Sequence, residues 1–246
     1  MLSSAAMQPL YAQVRASLIE AISAGRWRPG EPIPAETELA RHYGVAIGTL
    51  RKAVDTLVAE QALVRRQGKG TFVVGHDSPR LQFHFFHVAS RGGTRETPEV
   101  RTVAFRRARA SAEEAEALAI PRDDKVIRIR NVLALQGSPV LVDDITLAAA
   151  LFPGLTEKSF ASRGNTIYHL YQSRFGINVL RTDERLRAVA APPDIAALLS
   201  LEPGAPVLEI RRVALTFRDR PVELRHSRVD TRHHHYHNTL GKGLPA

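Results

Sequence analysis

Residues Gly44–Val73 read GVAIGTLRKAVDTLVAEQALVRRQGKGTFV, and a change of period inside them decides the fold of the first part of the chain. Leu50, Val54 and Leu57 stand at i, i+4 and i+7, one apolar stripe of an α-helix. Thr49, Arg51, Lys52, Asp55 and Thr56 fall off that stripe, and the donors among them gather toward the helix N-terminus. A recognition helix meets base edges and phosphates at that end. After Glu60 the pattern shortens to two apolar strands, Ala62-Leu63-Val64 and Thr71-Phe72-Val73-Val74. Their connection, Arg65-Arg66-Gln67-Gly68-Lys69-Gly70, is basic and carries two glycines that can supply the positive φ of a tight hairpin. A helix followed by a basic hairpin predicts a winged helix-turn-helix.

Upstream, Leu10, Val14, Leu18, Ala21 and Ile22 predict an amphipathic helix that stops at Gly25. A second helix is expected from Ala35-Glu36, with Leu39, Ala40 and Tyr43 inward and Gly44 as its end. Residues 1–8 show no period and read as a frayed terminus. Downstream, Gly75-His76-Asp77-Ser78-Pro79 reads as a linker. Strands are expected over Leu81–Val88 and around Val100–Arg106. The expected division is a DNA-binding domain over 1–75, a linker over 76–82 and an effector-binding and dimerisation domain over 83–246.

The second half contains an internal repeat. Ala117-Leu118-Ala119-Ile120, Val126 to Val132 and Pro139-Val140 form one copy; Leu198-Leu199-Ser200-Leu201, Val207 to Val213 and Pro221-Val222 form the other. The offset is 81 residues from Ile129 to Ile210 and 82 from Pro139 to Pro221. Each copy reads helix, loop, strand, turn, strand. Two such units predict one antiparallel sheet with helices packed on it, an α+β domain. Between the copies, Thr166–Phe175 predicts a further helix ending at Gly176.

The chain has no cysteine, so disulfides, thiol nucleophiles and cysteine-ligated metals are excluded. No apolar run approaches the roughly 20 residues of a membrane-spanning helix, and no signal-peptide pattern opens the chain; a cytoplasmic protein with no membrane partner is expected. A net charge of +9 suggests a polyanionic partner. The total does not locate it, because residues 1–75 hold nine Lys/Arg against six Asp/Glu and the remainder carries the larger surplus. The acid-free run Gln61–His76, with Arg65, Arg66 and Lys69, does locate it. Near the end, Arg232-His233-His234-His235-Tyr236-His237 invites a metal reading. Consecutive residues of a strand face opposite ways, so a terminal strand is the expectation, with no metal and no cofactor.

Pro9-Leu10-Tyr11, Gly25–Gly30, Pro34–Ala40, Tyr43-Gly44-Val45, Thr49–Ala53 and Arg66–Val73 resemble, in order, the DNA-binding domain of GntR-family transcription regulators. Two positions depart from that pattern: Ile47 and Thr37 stand where the family often carries arginine. The second half resembles the UTRA effector-binding domain of the HutC branch, whose fold is like chorismate lyase. The matching pieces are Arg128-Ile129-Arg130, Gly137-Ser138-Pro139, Leu151–Leu155, Thr166-Ile167-Tyr168, Phe175-Gly176-Ile177 and Arg220–Glu223.

Thr49, Arg51 and Lys52 are the main candidates for operator contact, with Arg66, Lys69 and Gly70 in the wing and Thr37 and Glu36 at the start of the second helix. Glu36 is equally suited to a structural role at a helix N-terminus. In the second domain Arg128 and Arg130 lie two apart and so share a face. They could clamp a carboxylate or phosphate; alternating solvent-facing residues would fit the same pattern. The resemblance favours Arg130 and adds Asp143, Thr166 and Glu223 as polar effector contacts. It implies a ligand-responsive repressor, a homodimer on a palindromic double-stranded operator released by a small anionic metabolite. A lyase-like enzyme and a DNA-coating protein without sequence preference are the alternatives. No catalytic constellation stands out for the first, and the large second domain weighs against the second.

Overall fold

A computed structural model describes residues 8–75, 86–90, 92, 96–163 and 166–238. The expected linker 76–82, the frayed terminus apart from Gln8, and most of the strand expected over Leu81–Val88 lie outside them. The described residues fall into two compact units, one up to residue 75 and one from residue 86 onward.

In the first unit, helices α1 (Leu10–Ser23), α2 (Glu36–Tyr43) and α3 (Ile47–Ala59) precede a hairpin of β1 (Leu63–Arg66) and β2 (Gly70–Val73). The stripe Leu50, Val54 and Leu57 is fully buried, Leu18 and Ile19 of α1 and Leu39 of α2 are buried as well, and α3 packs on both of those helices. Gly44 closes α2 in the left-handed conformation, φ 64°, where a side chain would be strained. Gly68 and Gly70, at φ 69° and 105°, turn the hairpin as expected. Arg15 of α1 grips Glu60, the C-cap of α3, through Nε at 3.0 Å and Nη2 at 2.7 Å.

The second unit is built on a six-stranded antiparallel sheet in the order β4-β5-β6-β9-β8-β7. These strands are β4 (Glu99–Arg109), β5 (Lys125–Leu135), β6 (Ser138–Ala148), β7 (Arg181–Ala190), β8 (Pro206–Leu215) and β9 (Pro221–Val229). The repeat is visible in the order itself. Helix α4 (Ala112–Leu118) precedes β5 and β6, and α7 (Pro193–Leu199) precedes β8 and β9. Both helices end in a left-handed residue 81 positions apart, Ala119 at φ 50° and Ser200 at φ 55°. The copies differ at their turns. Gln136-Gly137 is a two-residue turn, whereas the second copy uses a 3-10 turn over Phe217–Asp219.

One sheet face receives α4 and α7, which bury Ala115, Leu118, Ile195 and Leu199 over Val126, Val132, Val142 and Val213. The other receives α5 (Glu157–Ala161) and α6 (Ile167–Phe175), packed through Phe160, Tyr168 and Tyr171 on Ile127, Ile129, Ile145 and Leu147. Phe152 and Phe160 are fully buried there, each stabilising by about 2–3 kcal/mol through removal from water. A small sheet of β3 (Val88–Ser90) and β10 (His234–Tyr236) covers the same face beside Leu133, Leu141 and Val229. Of the terminal histidines, His234 and His235 thus lie in a strand, with His233 and His237 flanking it.

Two elements escape sequence patterning. Strand β7, RTDERLRAVA, is a mostly exposed edge whose charged residues hide its alternation. Helix α5 spans only five residues, too short to show a period.

Ser111 and Glu114 cap α4 reciprocally: the Ser111 N–H donates to Glu114 at 2.7 Å and the Glu114 N–H to the Ser111 hydroxyl at 3.3 Å. Arg128 and the Thr146 hydroxyl also donate to this carboxylate. Burial pulls its pKa up, but the hydrogen bonds from Arg128, Ser111 and Thr146 win and hold it at about 2, below its ordinary 4.5. The unfolded chain therefore takes up the proton first. The stabilisation is complete above about pH 4.5 and is lost as the pH falls toward 2. Glu114→Gln should lower stability at pH 7 by about 1–2 kcal/mol, with the deficit shrinking at pH 2.5, as read from urea unfolding at the two pH values.

Candidate DNA-binding face and effector site

In the first unit, the exposed end of α3 carries Ile47, Gly48, Thr49, Arg51 and Lys52, all exposed except the half-buried Thr49. Glu36, the first residue of α2, collects two guanidiniums. Arg51 Nε donates to Oε2 and Arg65 Nη2 to Oε1, each at 2.9 Å, while Arg65 also pairs with Asp55 at 2.6 Å. Burial raises the Glu36 pKa, but the hydrogen bonds from Arg51 and Arg65 outweigh it and keep the carboxyl below its usual range. Glu36 therefore serves as an internal tie between α2, α3 and β1. Lys52 Nζ lies 4.2 Å above the Tyr11 ring, and the Arg66 guanidinium lies 4.4 Å above that of Phe72. Thr37 and the hairpin tip residues Lys69 and Gly70 are exposed. The charged heads remain at the surface, where phosphates can exchange for these partners.

In the second unit the five expected effector residues do not converge. Sheet register explains why. Arg130 pairs with Asp144 and Arg128 with Thr146, whereas Asn131 pairs with Asp143. Asp143 thus faces away from the two arginines. Arg128 and Arg130 share a face, as their spacing requires. They line an open cleft of about 550 Å³ with Arg106, Glu114, Asp144 and His226. Both are committed to carboxylates. Arg128 makes two bonds of 2.7 Å to Glu114; Arg130 binds Asp144 at 2.6 Å and Asp194 at 2.8 Å. This pairing does not form a vacant anion clamp.

Asp143 and Glu223 stand on the opposite face, beneath α6, with Thr166 at the helix N-cap accepting from the His169 N–H at 3.1 Å. There they belong to a buried charged network that single-sequence reasoning missed. Arg225 donates through Nε and Nη2 to the two Glu223 oxygens, each at 2.9 Å, and through Nη1 to Asp143 at 3.0 Å. Ser227 completes Asp143 at 2.5 Å. Tyr171 and Tyr168 donate to Glu223 at 2.7 and 3.2 Å. Arg212 reaches Glu184 at 2.5 Å, and Glu184 also accepts from Tyr236. Burial, then the Glu223 charge, pushes both Tyr168 and Tyr171 hydroxyls well above their usual range. Burial alone would pull Arg225 down; Glu223 and Asp143 reverse that and raise it. Beside the network, Asn131 is fully buried, and its Nδ2 has no partner among the described residues.

The signal that could have found Arg225 is the repeat. Asp143 and Arg225 are equivalent positions at the 82-residue offset. The central pairing sets Asp144 opposite His226, its own equivalent, on the pseudo-twofold axis. Asp143 and Arg225 are then diagonal neighbours across that axis, within reach of a long side chain.

Comparison with known proteins agrees with this architecture. Residues 10–73 match the sequence model of the bacterial regulatory proteins of the gntR family, and residues 94–235 match the UTRA domain. The chain is 31% identical over 220 residues to a protein of Escherichia coli K12 named probable fructoselysine utilization operon transcriptional repressor, covering 88% of each chain. It is also 31% identical to the histidine utilization repressor of Pseudomonas putida, covering 83% of this chain and 81% of that one. Among solved structures it resembles the ligand-binding domain of a GntR-family transcriptional regulator from Bordetella bronchiseptica, with TM-score 0.62 and 39% identity, over 64% of this chain and 98% of that chain. The winged helix-turn-helix, the duplicated antiparallel sheet and these matches lead to one conclusion: the chain belongs to the gntR family of bacterial regulatory proteins and carries a UTRA domain as its second unit.

Proposed function

We propose that the protein is a homodimeric cytoplasmic repressor that binds a palindromic operator and is released by a small zwitterionic metabolite held beneath α6. The observation that carries the ligand assignment is the network itself. Two guanidiniums and three carboxylates are buried together, one carboxylate in excess. Burying such charges is expensive unless each is paired, and groups pushed as far from their usual range as Arg225, Tyr168 and Tyr171 collect at functional sites. A ligand bearing both a carboxylate and an ammonium can exchange with the internal pairs one for one, the first against Arg225 or Arg212 and the second against Glu223, Asp143 or Glu184. A lone anion would instead displace a carboxylate and leave it unpaired. Support also comes from the relatives' names: fructoselysine and histidine are both amino-acid compounds with these two groups. The same names favour a repressor over a lyase-like enzyme or a DNA coat. To act as an inducer, the metabolite must bind the DNA-bound and released states unequally.

A second reading rests on the open cleft, whose volume of about 550 Å³ suits a small ligand. There an anion would have to take Arg128 or Arg130 from its carboxylates.

Two tests follow from these assignments. In fluorescence anisotropy on the operator, Arg51→Ala should weaken binding by about 1–3 kcal/mol, whereas Lys69→Ala should weaken it on all sequences and reduce the salt slope by about one. In a thermal-shift screen of amino acids, N-glycated amino acids, urocanate and sugar phosphates, a ligand at 100 times its Kd should stabilise by about 2.7 kcal/mol. Tyr168→Phe should weaken that ligand about tenfold while Arg130→Ala leaves it unchanged. The opposite pattern would assign the ligand to the cleft.

A further inference from the structure

Ile47 opens α3, and it is 42% exposed, one of four large hydrophobic residues so exposed among the described residues. Its surroundings are bare. Ala46, the N-cap, makes no side-chain cap and is exposed; at Gly48 an added Cβ would meet nothing within 4 Å. The first turn therefore presents an uncrowded apolar surface. One turn further on, Arg51 stands at i+4 from Ile47 and so on the same side of the helix, with a side chain 57% exposed. The side of α3 shared by Ile47 and Arg51 thus holds a guanidinium and a branched aliphatic group, while Thr49, at i+2, points to another side.

The aliphatic group has no hydrogen bond to give. In the major groove each base pair shows donors and acceptors, and only thymine adds a methyl group that an apolar side chain can match. A polar base edge placed against Ile47 would lose its water without gaining a partner. The same contact therefore favours one base and penalises the others. We propose that Ile47 is a specificity-determining residue, packing on the 5-methyl group of one thymine in each operator half-site, beside the base reached by Arg51.

The experiment uses the full-length protein and sites enriched by it from random duplex DNA. Each thymine of the best site is replaced singly by uracil, which removes only the methyl group, and affinity is read by anisotropy at fixed salt. One thymine per half-site should show a loss of about fourfold, the value for burying a single methyl, and about fifteenfold when both half-sites are changed. In Ile47→Ala that loss should vanish, while in Arg51→Ala it should persist. The exposed position lets Ile47→Ala fold, which an unchanged thermal midpoint would verify. If no uracil substitution weakens binding, or if the loss survives in Ile47→Ala, the assignment is overturned. Failure to enrich any site would overturn it differently, by removing sequence-specific DNA binding altogether.

Discussion

The pairing of Asp144 with His226 organises the second unit. These residues occupy equivalent positions of the two repeats, so the sheet is built outward from them in both directions, β5 and β4 on one side and β8 and β7 on the other. Side chains of a strand alternate, and a slip of one residue would exchange every member of the two faces. The observed register places Arg128, Arg130 and Asp144 on the cleft side and Asp143, Glu223 and Arg225 beneath α6. Each apolar set follows its own parity, with Ile127, Ile129, Ile145 and Leu147 under α6 and Val126, Val132 and Val142 under α4 and α7. Burial of these sets on both faces holds the register, and the register in turn determines which charges can meet.

The legibility of the sequence follows from the same physics. The stripe Leu50, Val54 and Leu57, the glycines of the hairpin and the 81-residue offset are local or repeated signals, and they located three helices, the wing and the duplicated sheet. Strand β7 stayed hidden because an edge strand with Asp183, Glu184, Arg185 and Arg187 has little hydrophobic alternation to show. The effector residues were only half legible. Two-residue spacing correctly put Arg128 and Arg130 on one face, but relating that face to Asp143 requires the register between β5 and β6, a non-local fact. Arg225 escaped for a similar reason: a lone arginine on a strand says nothing until its diagonal partner is known.

In the DNA-binding unit, polar groups perform two tasks with one set of atoms. Glu36 holds Arg51 and Arg65 at 2.9 Å, so both guanidiniums have a set orientation at the surface. Exposed ion pairs of this sort contribute about 0–1 kcal/mol. Exchanging one for a charge-assisted bond to phosphate is therefore inexpensive, and the carboxylate keeps its second arginine while the first is used. Lys52 over Tyr11 and Arg66 over Phe72 give two further cations the same pre-orientation without a carboxylate. Orientation lowers the entropy lost on binding. The wing and α3 gain from this device together, since Glu36 touches both.

The network beneath α6 differs from these surface pairs in its energetics, and that difference suits it to sensing. A surface pair can be lost to water at little cost, whereas a buried charge that loses its partner costs several kcal/mol. Glu223 accepts from Arg225, Tyr168 and Tyr171 together, so a ligand that claims Arg225 changes the pairing of a carboxylate held by two residues of α6. Thr166 caps that same helix. A ligand replacing the internal pairs one for one leaves few charges unpaired, and the remaining difference between the two pairings can be small. Couplings of about 1–3 kcal/mol are enough for a regulator. A ligand that exchanges partners without adding to the one carboxylate already in excess can supply that range, while a site that trapped a further unpaired charge would be committed to a single state.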